Sequence, residues 1–243
     1  MTANRVIAVS GYPGGGKTSL VDAVASRLGD ATVVYCDHYQ HMTEKSADEI
    51  FQWLDDGSDH EQLLMPQVTD HLQCLKRGEP VTDPLHGGQI KPAATILFET
   101  LFGRFHKPSA ACIDVLVWID TPLDIALTRN IRKFTGMFLS EQQSGRMREN
   151  LQWLDQYLDF YLQGVRKALL LQKQKVAADA DITIANNDDI DTSAALLLEK
   201  LLALEKLPAL EKLPAVEKVS AHGQHSNTRP TSGKAGFVEQ RCD

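Results

Sequence analysis

Gly11-Tyr12-Pro13-Gly14-Gly15-Gly16-Lys17-Thr18 sets lysine and threonine at the end of a glycine-rich octet. The spacing of Gly, four residues, Gly, Lys and Ser/Thr is that of a phosphate-binding loop. Such a loop needs glycine because its backbone N–H groups turn inward around phosphate oxygens, with residues at positive φ and no room for Cβ. Upstream, Val6-Ile7-Ala8-Val9 is an apolar run suited to a buried parallel strand. Downstream, Leu20, Val21, Val24 and Leu28 fall at helical spacing, so a helix N-terminus points its dipole at the phosphates. Gly11, Tyr12, Pro13, Gly14, Gly15, Gly16, Lys17, Thr18 and Ser19 are therefore the candidate nucleotide-binding residues. Lys17 is expected to reach the β- and γ-phosphates and the Thr18 hydroxyl to hold Mg²⁺. The competing reading is a glycine-rich turn that carries Lys-Thr by coincidence; a strand before it and a helix after it argue against that.

The 243 residues suffice for one large α/β domain, or for a domain with a tail. Hydrophobic residues make up 43%, enough for a sizeable core, and the formal charge of −7 gives no basic field to attract nucleic acid. Cys36, Cys74, Cys112 and Cys242 show neither metal-ligand nor paired spacing and read as reduced thiols of a cytoplasmic protein. No apolar run approaches a membrane-spanning length, and the chain start reads as leading straight into a strand without a secretory signal.

Ala31–Cys36 reads as a second strand with Asp37 at its carboxyl end, where ligands bind in open α/β sheets. Asp37 is accordingly a candidate base for an acceptor hydroxyl, or else a cap for the next turn. The long insert that follows is expected to hold a helix from Lys45 to Trp53 and another from Glu61 or Pro66 to Arg77. A loop or small hairpin spans Pro80–Pro84 and Gly87-Gly88, and an acceptor-binding lobe is the expected use of the whole insert. Its histidines, His38, His41, His60, His71 and His86, show no metal spacing.

Ala94–Glu99 and Val115–Asp120 are third and fourth apolar strands, each ending in an acid. A phosphate-loop site needs a carboxylate near the Mg²⁺ hydration shell. Glu99 is favoured, because Asp120 with Thr121-Pro122 looks like the turn into the next helix. That helix runs from about Leu123 and carries Arg129 and Arg132, candidates to close over a transferring phosphoryl group; a solvated basic face is the alternative. Arg104 is a candidate for phosphate or for a surface salt bridge. Gly136–Gly145 lacks periodicity and reads as a lid segment. A long amphipathic helix then spans Asn150–Val176, with Trp153, Tyr157 and Tyr161 read as core packing. A fifth strand over Ala180–Asn186 and a helix over Thr192–Leu204 complete the domain. Ala-Leu-Glu-Lys-Leu-Pro recurs from Ala203 and Ala209, and in altered form from Ala215, with prolines that break a continuous helix. The expected division is a domain over 1–202 and a low-complexity tail over 203–243.

In these residues the chain resembles the uridine kinase and phosphoribulokinase branch of P-loop kinases over about residues 4–200. The resemblance implies an α/β, three-layer P-loop fold with a five-stranded, mainly parallel sheet and helical acceptor and lid insertions. It also implies that the strand-2 acid, Asp37, acts as base and that the strand-3 acid, Glu99, lies near Mg²⁺. Arg129-Asn130-Ile131-Arg132-Lys133 resembles the family's lid start, which supports Arg129 and Arg132, and Leu75–Val81 resembles its segment after the acceptor lobe. Two features depart from the family: Glu99-Thr100 stands where Glu-Gly is usual, and the His-Pro-Asp nucleoside segment is not recognisable. The expected activity is ATP- and Mg²⁺-dependent transfer of the γ-phosphoryl group to a hydroxyl of a nucleoside- or sugar-like acceptor, with Lys17, Asp37, Arg129 and Arg132 as catalytic residues and Thr18 and Glu99 on the metal. The alternative is a nucleotide-binding ATPase or switch, although Asn186-Asn187-Asp188-Asp189 lacks the lysine of a guanine motif. The expected partner is a small-molecule acceptor, with neither nucleic acid nor membrane, and a homo-oligomer is left open.

Overall fold

A computed structural model describes residues 4–39, 66–140, 146–186 and 189–204. Strand β1 (Arg5–Gly11) runs into the glycine loop, and helix α1 (Lys17–Leu28) leaves it. Strand β2 (Thr32–Tyr35) ends in a 3₁₀ turn, Cys36–His38. Helix α2 (Pro66–Lys76) leads to a two-stranded antiparallel hairpin, β3 (Val81–Thr82) and β4 (Gln89–Ile90). Next come β5 (Thr95–Glu99), the short helix α3 (Lys107–Ala110), β6 (Val115–Asp120) and helix α4 (Leu123–Ser140). Helices α5 (Met147–Phe160) and α6 (Arg166–Val176) are joined by a π-helical turn, Tyr161–Val165. Strand β7 (Ile182–Ala185) and helix α7 (Ile190–Ala203) close the domain.

The main sheet has the order β2-β5-β1-β6-β7, every pairing parallel, so all five carboxyl ends share one edge. Because the sheet is covered on both sides, its strands are apolar throughout and successive residues feed opposite cores. Val6, Ala8, Ile96, Phe98, Leu116 and Trp118 pack with Val68, Leu72 and Leu75 of α2 and Val176 of α6. Ile7, Val9, Leu97, Val115, Val117 and Ile119 pack with Leu20, Val21 and Val24 of α1 and Ala194, Leu197 and Leu201 of α7. This is the three-layer α/β architecture of the P-loop fold.

Several sequence expectations are corrected. Helix α4 runs unbroken through Gly136, where no periodicity was visible. Rings outweigh the roughly 1 kcal/mol that a mid-helix glycine costs, since Phe134 meets Trp153 and Tyr157 edge-on and Phe138 meets Trp153. The long amphipathic helix starts earlier, at Met147, and is interrupted at the π turn. Trp153 is not core: it is 44% exposed and stacks on Tyr157, whereas Tyr161 is buried. The stretch at 80–90 resolves in favour of the hairpin. The helix expected over Lys45–Trp53, His41, His60, the end of the lid segment and the tail from residue 205 lie outside the described residues. The division at 202/203 stands as a proposal.

Candidate active site

The glycine loop is held against the sheet by its own backbone and by its neighbours. Gly14 and Gly16 have φ of 75° and 92°. A Cβ on Gly14 would lie 2.2 Å from the Ala126 carbonyl oxygen on α4, and one on Gly16 would lie 2.4 Å from Asn186 Nδ2. Both positions therefore demand glycine for conformation and for space. Gly15 N–H donates to the Tyr12 carbonyl at 2.9 Å, and the Gly15 carbonyl accepts from Thr121 Oγ1 and Asn186 Nδ2, each at 2.8 Å. Thr121 and Asn186 are both buried, one after β6 and one after β7, and neither was singled out from sequence as a loop support. Their position directly beyond the carboxyl ends of two strands was the available signal. Tyr12 is also buried, edge-on to Trp118 at 5.5 Å, and burial, with the Asp120 charge, pushes its phenol up to about 12.

Lys17 begins α1 and is only 7% exposed. Its ammonium donates to the Tyr12 carbonyl at 3.2 Å and lies 3.8 Å from Glu99 Oε1. Burial lowers the lysine's pKa, while the charges of Glu99 and Asp37 work the other way. Glu99, buried at the end of β5, has its carboxyl raised by burial, against the pull of Lys17 and of a hydrogen bond from the Thr18 side chain. Lys17, Thr18 and Glu99 thus form one cluster, and the charge of Asp37 acts on both ionisable members.

Asp37 is exposed on the 3₁₀ turn after β2, on the same edge of the sheet. Arg129 of α4 is half-buried, with Nη1 3.8 Å from the point a Cβ on Gly16 would occupy, which places it beside the loop. Arg132 lies one turn further on, exposed. Thr18 and Ser19 are exposed at the start of α1, while Gly11 is buried at the end of β1 against Ile119. The two remaining acid and arginine candidates are engaged elsewhere. Asp120 Oδ1 pairs with Lys173 Nζ of α6 at 2.5 Å, and Arg104 Nη2 pairs with Asp181 Oδ2 at 2.5 Å, the salt-bridge alternative. Among the described residues no group of three or more His, Cys, Asp or Glu side chains is arranged to hold a metal by itself. The donors available to Mg²⁺ are those a phosphate-loop site uses, one hydroxyl and one nearby carboxylate, with the remaining positions left to phosphate oxygens and water. Thr18 and Glu99 fit that requirement.

No family model matches the chain. It is 24% identical over 213 residues to a uridine kinase of Oceanobacillus iheyensis, covering 82% of this chain and 95% of that protein. In sequence the chain is similar to uridine kinases. A uridine kinase of Borrelia garinii subsp. bavariensis is 25% identical to this chain over 166 residues, covering 64% of it and 75% of the relative. Among solved structures, shikimate kinase from Acinetobacter baumannii aligns with a TM-score of 0.44 at 18% identity, covering 84% of this chain and 96% of that one. A sugar kinase from Janibacter sp. HTCC2649 aligns with a TM-score of 0.45 at 13% identity, covering 85% and 98%. No helix among the described residues is long and apolar enough to cross a membrane.

Proposed function

We propose that this uridine-kinase-like chain is an ATP-dependent kinase that transfers the γ-phosphoryl group to a hydroxyl of a nucleoside- or sugar-like small molecule. The observation that carries the reading is the buried Lys17 ammonium, set between the Tyr12 carbonyl and Glu99 at the mouth of the glycine loop, with Asp37 on the same rim. A lysine is left nearly dry at a cost that only an anionic ligand or partner offsets. The curated relatives are uridine kinases, which supports a hydroxyl acceptor.

In this reading the loop N–H groups and Lys17 bind the β- and γ-phosphates, and Arg129 approaches from α4 over Gly16 to neutralise charge on the transferring oxygens. Arg132 joins from the exposed side of α4. Asp37 accepts the proton of the acceptor hydroxyl as its oxygen bonds to the γ-phosphorus, and the bond to the bridging oxygen breaks with its electron pair leaving on ADP. Mg²⁺, when bound, neutralises phosphate charge; the Thr18 hydroxyl and Glu99 would hold it. A protein in the cytoplasm that acts as a monomer or homo-oligomer on a small molecule accords with this reading.

The test is ADP production over a panel of nucleosides, hexoses, sugar phosphates and pantothenate-like alcohols. ADP formed only with an acceptor present is the expected result. Phosphate released at the same rate without any acceptor would instead support an ATPase or switch.

A further inference from the structure

The turn that carries Asp37 is fastened on three sides. Cys36 is buried in the core, and the buried Tyr39 places its hydroxyl 3.0 Å from His71 Nδ1 on α2. Between them His38 Nδ1 lies 2.9 Å from Asp83 Oδ2, both side chains largely shielded from solvent. Asp83 is the organising residue of the β3–β4 hairpin. Its Oδ1 accepts from the N–H groups of Leu85 at 2.8 Å and His86 at 3.1 Å. Its backbone N–H donates to the Gly88 carbonyl at 2.8 Å and its carbonyl accepts from Gly87 N–H at 2.9 Å. Burial works against ionisation of this carboxyl, yet the bonds from His86, Leu85 and His38 hold it below the usual carboxylate range. An ionised carboxylate only accepts, so His38 Nδ1 is the donor in the pair. The imidazole also leans on Tyr35, with ring centroids 5.2 Å apart, and meets His86 edge-on at 5.0 Å.

Nothing in the phosphate-binding cluster needs His38 or Asp83. What they join is the carboxyl end of β2, which among the described strands lies at the sheet edge beside β5, to the β3–β4 hairpin. Asp37 itself is exposed, and the buried residues on either side of it, Cys36 and Tyr39, tie its turn into the core. Between them, His38 reaches the hairpin by a side-chain hydrogen bond, and through Asp83 it connects to the whole of the turn at 83–88.

We propose that the His38–Asp83 pair is a positioning clasp that holds the β3–β4 hairpin and the Asp37 turn as one unit, so that the acceptor is gripped in register with its base. The inference rests on the reading of Asp37 as the base of a kinase. His38 and Asp83 act through the geometry of other groups and are positioning residues, not catalytic ones. The contribution is specific to the acceptor side, because the glycine loop is supported from α4, Thr121 and Asn186 instead.

The experiment is steady-state kinetics of the full chain with uridine as the acceptor probe, or with the best acceptor of the nucleoside and hexose panel where uridine is not turned over. His38→Phe keeps the ring contacts with Tyr35 and His86 but cannot donate; Asp83→Asn keeps an acceptor for the hairpin turn but loses the charge. Each is expected to raise the acceptor KM or lower kcat by about tenfold or more, since ångström-scale misplacement is costly in a two-substrate site, with the ATP KM changed less than about twofold. His38→Asn, whose amide can donate to Asp83, is expected to recover most of the loss, and the double variant His38→Phe/Asp83→Asn to be no worse than the poorer single. Acceptor kinetics indifferent to His38→Phe, equal damage by His38→Asn and His38→Phe, or additive losses in the double variant would each overturn the clasp while leaving the kinase reading intact. Should His38→Phe fail to fold, Asp83→Asn with its rise in acceptor KM decides the matter. A wild-type chain that turns over no acceptor overturns both readings together.

Discussion

The Gly15 carbonyl offers a sharp test of how the phosphate loop is held. It is buried and receives two donors at 2.8 Å, Thr121 Oγ1 and Asn186 Nδ2. Thr121→Val removes one donor at nearly constant shape, and Asn186→Leu removes the other. In either single variant the carbonyl keeps a partner, so the loss is that of one ordinary hydrogen bond, about 1 kcal/mol. In the double variant the oxygen is left buried without a partner, and its desolvation adds about 1–3 kcal/mol. The double variant should therefore lose roughly 3–5 kcal/mol where the singles sum to roughly 2. For a domain of this size that is a fall in Tm on the order of 10 °C. Urea denaturation of the four proteins measures the cycle, with Thr121→Ser/Asn186→Leu as a control that restores the hydroxyl donor. Fluorescent-nucleotide binding should weaken most in the double variant, because the loop loses its fixed shape. A double variant whose loss equals the sum of the singles within about 0.5 kcal/mol, or a serine control as unstable as the valine variant, refutes the idea that these two side chains share one task.

Asp37→Asn should lower kcat by roughly 10²-fold with nucleotide binding little altered; unchanged turnover in the coupled ADP assay removes Asp37 from the mechanism. Burial lowers the pKa of His71, against the charges of Asp70 and Asp83, so the fold favours its neutral form. Its contribution to stability is then present above about pH 6.5, the unfolded value, and is lost as pH falls through the lower folded value. Urea midpoints between pH 5 and 8 should show that acid-side slope in the wild type and a flatter one in His71→Gln; identical slopes refute the assignment. Glu99→Gln should tighten ATP binding measured in EDTA by about threefold or more, because a carboxylate competing for Lys17 is gone, and should abolish the gain that Mg²⁺ gives; an unaltered Mg²⁺ response removes Glu99 from the metal.

The parts of this fold legible in the sequence are those set by local chemistry. The loop from Gly11 to Thr18, the apolar runs that became β1, β5 and β6, and the turn at Thr121-Pro122 each carry their signal within a few residues. Glu99 is preferred over Asp120 because capping and proline chemistry mark the latter as a turn; Asp120 pairs with Lys173, and a metal role for Glu99 stands as a proposal. Illegible were contacts between residues far apart in sequence. Asn186 meets Gly15 across 171 positions and His38 meets Asp83 across 45. The π turn at Tyr161–Val165 and the continuation of α4 through Gly136 depend on packing between helices, which periodicity within one helix does not report. Trp153 was misread for the same reason: its spacing is that of a core stripe, but its ring contacts are Phe134, Phe138 and Tyr157 rather than the sheet.

The two halves of the site are built on opposite principles, and the buried lysine explains why. Lys17 and Glu99 each sit where burial opposes their own charge, and the charge of each works against that effect on the other. Yet they stand 3.8 Å apart, long for a closed ion pair, and the ammonium's shorter contact is the Tyr12 carbonyl. A pair this dry and this loose gains more from an arriving phosphate oxygen on the lysine than it loses by separating. The carboxylate so released already faces the Thr18 hydroxyl, where a cation would relieve it. Such an exchange works only if the cradle does not move, which is what the doubly bonded Gly15 carbonyl and the glycine contacts with α4 secure. In the proposed reaction Asp37, which is exposed, would meet a hydroxyl whose carrier comes and goes, and there the order would be supplied by side-chain links such as His38 to Asp83 rather than by burial. Substitutions in the cradle should therefore register in stability and nucleotide affinity together, and those in the clasp in acceptor kinetics.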